Sequence, residues 1–183
     1  MPLFPRQLRD LRSYDYSVTN IPYWWRNTGQ DPIFTAATWS TANLAVYTPI
    51  VVEDTRRLTG FSVWLGATQS GLIQCGIYEP DSEGKPGLLI ARTSAVIQPV
   101  ANASEFMFIP LDSVIWLGRG TYFVACVMNN TTGTVTRLAA LTTDGDGPVM
   151  AGIFTEASAY PLPAAATPNL SAVTVNVPVM GIY

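Results

Sequence analysis

Two stretches of this chain place several oxygen-bearing side chains at close spacing, DSEGKPG at 81–87 and TTDGDG at 142–147. At and just before the first, Glu79, Asp81 and Glu83 put three carboxylates within five residues, a composition that suits a divalent cation. The order of residues does not. A calcium loop of the EF-hand kind needs glycine at its sixth position and a bidentate glutamate at its twelfth. Counted from Asp81, those positions hold Pro86 and Arg92. Gly84 and Gly87 are able to take positive φ and Pro86 fixes its own φ, so the run is expected to be a hairpin turn with hydrated acids at its tip. In the second stretch Asp144 and Asp146 form a D-x-D pair that can contribute to a calcium site. No further carboxylate stands at a defined spacing from it, and a solvated turn is the plainer account.

Other catalytic chemistry finds little to work with. Histidine is absent, which removes the commonest general base and the commonest metal ligand. There is no GxSxG, Walker loop, HExxH or GxGxxG, and Lys85, the one lysine, sits on the expected hairpin tip. Carboxylate pairs of the glycosidase kind are the remaining route, but the acids fall in turn-like contexts. The expectation is a non-enzyme without a cofactor or a metal. Cys75 in LIQCGIY and Cys126 in YFVACVM each lie inside an apolar run and not in a CxxC spacing. Buried free thiols fit that setting best, with a disulfide as the other reading.

The elements that carry these residues follow from composition and texture. A chain of 183 residues suits one domain, or one domain with an arm. Charged residues make up 13% of it and apolar residues 48%, against about 25% charged in an ordinary soluble domain. Such a surface is sticky, and covering it with other protein favours a homo-oligomer or a large assembly. A net charge of −3 offers no basic stripe for nucleic acid. No run of about 18 apolar residues is present to span a bilayer, and no basic-then-apolar leader, so neither a membrane nor the ordinary secretory route is expected.

The texture changes near residue 40. Residues 1–40 are expected to be an arm: Arg6, Arg9, Arg12 and Arg26 stand among Phe4, Tyr14, Tyr16, Tyr23, Trp24 and Trp25 without strand-like alternation. RQLRDLR could form a helical turn or two, too short to stand unsupported. Aromatic residues and arginine dominate interface hot spots, so the arm has the make-up of a partner-binding anchor, and packing back over its own domain is the equal alternative. Residues 41–183 read as an all-β domain. Short apolar runs (43–52, 58–65, 72–79, 88–97, 105–111, 120–128, 134–141, 149–154 and 173–179) are separated by Gly, Pro, Asn and Asp, the spacing of an antiparallel, jelly-roll-like β-sandwich. GTYFVACVM is apolar on both faces, which suits a central strand. SAYPLPAAATPNLS is expected to be a connection draped over the surface or over a neighbouring subunit.

Asn43, Tyr47 and Pro49 in NLAVYTPIVV, Gly76, Ile77, Tyr78, Gly84, Pro86, Gly87 and Leu89 in GIYEPDSEGKPGLLIA, and Leu117, Gly120, Tyr122 and Ala125 in LGRGTYFVA together resemble a β-sandwich module of bacteriophage virion proteins. The likeness covers roughly residues 43 to 128 and rests on turn and packing signals. It implies a virion structural part, assembled in the host cytoplasm and acting without catalysis. The resemblance spans head-decorating and tail proteins. With no heptad stalk or fibrous repeat in the chain, a capsid decoration or cement protein is the first expectation. Its partners would be copies of itself, trimeric by the family's habit, and the major capsid protein or another virion protein. The alternative is a tail-fibre or tail-tip module that reads a host glycan or protein. Trp24, Trp25, Trp39, Trp64 or Trp116 could stack on sugar rings there, although tryptophan is more often core or interface.

Overall fold

The computed structural model describes residues 34–97, 106–138, 153–170 and 177–183, and every regular element among them is a β-strand. In chain order these are β1 (Phe34–Thr38), β2 (Ala45–Val52), β3 (Arg56–Trp64), β4 (Leu72–Pro80), β5 (Pro86–Arg92) and β6 (Val96–Ile97). There follow β7 (Phe106–Leu117), β8 (Gly120–Met128), β9 (Thr134–Leu138), β10 (Phe154–Glu156), β11 (Asn169–Leu170) and β12 (Met180–Ile182). The larger sheet runs β11-β10-β2-β8-β4-β5, with β6 also on β4. A smaller sheet, β12-β3-β7, packs against it, and the β1-β9 pair joins the smaller sheet through the bridges Leu65↔Val135 and Arg137↔Pro178. All ladders are antiparallel, as expected of a β-sandwich.

Period-two alternation decides which side chains fill the space between the sheets. From the larger sheet come Val46, Ile50 and Val52 of β2, Val124, Cys126 and Met128 of β8, and Ile73, Cys75 and Ile77 of β4. They meet Leu58, Phe61 and Val63 of β3, Ile109, Leu111 and Leu117 of β7, and Met180 and Ile182 of β12. Each such side chain contributes about 1.5–3 kcal/mol on full burial, so this shared core is the main support of the fold.

The central strands of the larger sheet are buried on their other face too. Ala45, Tyr47, Tyr78, Phe123, Ala125 and Val127 form a second cluster, closed by Phe154, Ala159 and Leu162. The covering layer is the proline- and alanine-rich connection, and it lies on its own domain. It is fastened along its length: Ala159 N donates to Asn43 O, Leu162 N to the Gln74 side-chain oxygen, and Ala166 N to Gly87 O. Leu162 O and Pro163 O accept from Arg92 and from the Tyr78 hydroxyl. This is why GTYFVACVM is apolar on both sides.

The structure departs from the sequence reading at several edges. β1 lies inside the segment read as arm, and Trp39, also within it, is 1% exposed in the main core. β7 continues through Asp112–Leu117, beyond the expected end at 111, because a register shift in the β3 pairing between Leu58 and Gly60 passes over residues 111–114 before Ile115 and Trp116 pair again. The run 88–97 breaks into β5 and β6, where Thr93 turns inward to bond Cys75. Expected strand residues 139–141, 149–152 and 173–176, and the possible helical turn in RQLRDLR, lie outside the described residues.

Candidate functional site: an aromatic sheet face

Aromatic side chains meet solvent on the outer face of the smaller sheet. On β7 Ile109 and Leu111 face inward, so Phe106, Phe108 and Pro110 lie on the opposite face, Phe108 and Pro110 exposed and Phe106 half-buried against the core edge. Their β3 partners are Trp64, Ser62 and Gly60. The Trp64 and Phe106 rings stack with centroids 5.2 Å apart and an interplanar angle of 28°. Phe108 meets Tyr183 edge to face at 5.4 Å. Tyr183 is held by its backbone, its O accepting from Thr59 N at 2.6 Å and Gly60 N at 3.1 Å, and its N donating to Gly60 O.

Gly60 makes this arrangement possible. A Cβ there would stand 2.5 Å from the Tyr183 hydroxyl oxygen and 2.5 Å from Ile109 O, so only glycine lets the tyrosine ring lie across β3. Beyond the register shift, Trp116 pairs with Arg57 and again points outward. It is the most exposed large apolar side chain of the described residues at 69%, with Phe108 and Val114 each at 50%. Pairs of aromatic rings at these separations contribute about 0.5–1.5 kcal/mol beyond area burial and keep the rings oriented. The pairs Trp64–Phe106 and Phe108–Tyr183 are therefore preset parts of an aromatic platform, suited to stacking on a flat apolar surface.

The positions singled out from sequence fare differently. Phe4, Arg6, Arg9, Arg12, Tyr14, Tyr16, Tyr23, Trp24, Trp25 and Arg26 lie outside the described residues, as do Asp144 and Asp146. Of the remaining tryptophans, Trp39 is core, Trp64 is half-buried in the platform and Trp116 is exposed. Phe106, Phe108 and Tyr183 were missed in sequence, because nothing local shows that the last residue of the chain lies over Gly60.

The acidic run is a turn over residues 81–85, with Pro86 and Gly87 already in β5, and its oxygens serve the turn itself. Asp81 Oδ1 accepts from Glu83 N at 2.8 Å and from Lys85 N at 2.9 Å, while Lys85 Nζ pairs with Glu83 at 2.6 Å. The Lys85 backbone bond holds the Asp81 carboxyl below the usual carboxylate range, and the Glu83 contact raises Lys85. Gly84 takes the left-handed backbone at φ 77°, while Gly87 does not. Among the described residues no group of three His, Cys, Asp or Glu is placed to hold a metal ion.

A second group with shifted titration is Tyr47, Tyr78 and Glu156. The Tyr47 hydroxyl donates to Glu156 Oε2 at 2.7 Å, Thr167 donates to the same carboxylate from N and Oγ1, and Tyr47 meets Tyr78 edge to face at 5.2 Å. Burial pushes both phenols well above the ordinary tyrosine value. Perturbed groups mark active sites in many proteins. Here the hydrogen bonds run to the covering connection, so the cluster reads as a fastening. Comparison of the chain with protein-family models, curated proteins and solved structures gave no match.

Proposed function

We propose that this chain is a structural protein of a bacteriophage particle, a capsid decoration or cement protein that self-associates and docks on the shell through residues 1–30. The observation that carries the reading is the outer face of the smaller sheet: Phe108, Val114 and Trp116 stand exposed on it, in a chain with 13% charged residues. Exposed apolar patches of this kind mark interaction surfaces. The arm supplies arginine and aromatic anchors of the sort that dominate binding energy, at about 1–4 kcal/mol each.

Particles lacking the protein are mixed with the intact chain or with a chain lacking residues 1–30, and occupancy on purified heads and on purified tails is measured. Intact protein on heads, with occupancy lost on truncation, is the expected result. Equal binding by the truncated chain would move the docking surface to the sandwich, and retention on tails alone would remove the decoration reading.

The exposure of Trp116 favours a second reading, a tail module whose platform stacks on a host glycan. Titrating the protein with host surface polysaccharide while following tryptophan fluorescence tests it. Under this reading the signal saturates and Trp116→Ala abolishes it.

A further inference from the structure

Cys75 and Cys126 stand directly opposite each other on β4 and β8, two neighbouring interior strands of the larger sheet. In an antiparallel ladder, opposed residues alternate between pairs that exchange backbone hydrogen bonds and closer pairs that do not. Which kind this is follows from where the Cys75 backbone bonds. Its N donates to Thr93 Oγ1 at 3.0 Å and its O accepts from Thr93 N at 2.9 Å. Both groups therefore point away from β8. In the neighbouring phase, Leu72 O accepts from Asn129 N on the β8 side, as the alternation requires.

Cys75 and Cys126 are thus a non-hydrogen-bonded pair. Such pairs bring Cα atoms to about 4.5 Å with side chains on the same face. A disulfide spans Cα separations of about 4.4–6.8 Å, so the pair falls at the short end of that window. Both side chains face the core, both residues are 0% exposed, and both thiols are free. The pair is close enough for a cross-strand bond, at the tight end of the range a disulfide spans.

We propose that Cys75 and Cys126 are a disulfide-forming site, closing on exposure to a low-molecular-weight disulfide into a cross-strand bond that locks β4 to β8. One cysteine thiolate attacks a sulfur of oxidised glutathione, forming a mixed disulfide and releasing one glutathione thiolate. The second cysteine thiolate then attacks the protein sulfur of that mixed disulfide, forming the Cys75–Cys126 bond and releasing the second glutathione. Two protein thiols are oxidised and one glutathione disulfide is reduced to two thiols. Burial holds the Cys75 thiol protonated in the closed sheet, so exchange runs through chains whose central strands have opened or not yet closed. The short span makes the bond strained and readily reduced. The reduced form suits folding in a reducing cytoplasm and the locked form suits oxidising surroundings. That use of the site rests on the virion reading above, whereas the bond itself does not.

The test uses the isolated full chain, without particles, so its result is separate from any failure to bind a shell. The protein is unfolded, refolded to equilibrium across a series of reduced-to-oxidised glutathione ratios, alkylated, and mapped by mass spectrometry without reduction. The expected product is one intrachain link between the Cys75 and Cys126 peptides, appearing only at oxidising ratios, with a higher melting temperature than the reduced chain. Cys126→Ala should give no intrachain link at any ratio. Should that variant fail to fold, the intact chain still decides the matter. Two alkylatable thiols in natively refolded protein at the most oxidising ratio, or only mixed and intermolecular disulfides, overturn the proposal.

Discussion

Tyr47 and Tyr78 show how burial at single residues sets the response of the fold to pH. Both phenols are held above the ordinary tyrosine value, chiefly by desolvation. A raised folded-state value means that their contribution is fully present below the unfolded pKa of about 10 and is lost as pH rises beyond it. Ultraviolet titration should therefore show these two tyrosines ionising only together with alkaline unfolding, as one steep transition, and not as gradual free phenols. Removing the Tyr47 hydroxyl tests the fastening itself. Tyr47→Phe takes one donor from the Glu156 carboxylate, which keeps Thr167, and should cost about 1.5–3 kcal/mol in denaturant unfolding without loss of the β spectrum.

At the scale of elements, the covering connection is as much a part of the sandwich as its strands. Leu162 is 1% exposed against the outer face of the larger sheet, and Leu162→Ala should destabilise by about 2–5 kcal/mol through lost contacts and a residual cavity. A denaturation midpoint unchanged from the parent would mean that the layer is dispensable. β3 carries the complementary case, where a missing side chain is the requirement. Gly60→Val should displace the Tyr183 ring and disturb the platform, read as a changed near-ultraviolet signal with the far-ultraviolet spectrum retained.

At the scale of the molecule, the described strands begin at Phe34. Deleting residues 1–30 removes no described strand and should leave cooperative unfolding and an all-β circular dichroism spectrum intact. A truncated chain that precipitates or loses its transition would show that the arm belongs to the core, which is the alternative its aromatic content leaves open. The same deletion separates docking from folding, because shell occupancy and stability are read independently.

The all-β class was legible from the chain alone, because alternation and turn residues act locally and repeat along it. β2, β4 and β8 fall within a few residues of the runs that predict them, and the acidic turn, which spans 81–85 before β5 begins at Pro86, is legible because Gly84 supplies the positive φ it needs. What faces what is another matter. The aromatic platform depends on Tyr183 returning to Gly60, the cover over Tyr47 and Tyr78 on the connection 157–166, and the Cys75–Cys126 apposition on the register of β4 against β8. Register and sheet order are long-range choices, fixed only when both faces of the larger sheet are buried at once. The sequence alone therefore determined the kind of element and the need for cover. Only the tertiary structure decided which side chains were left outside.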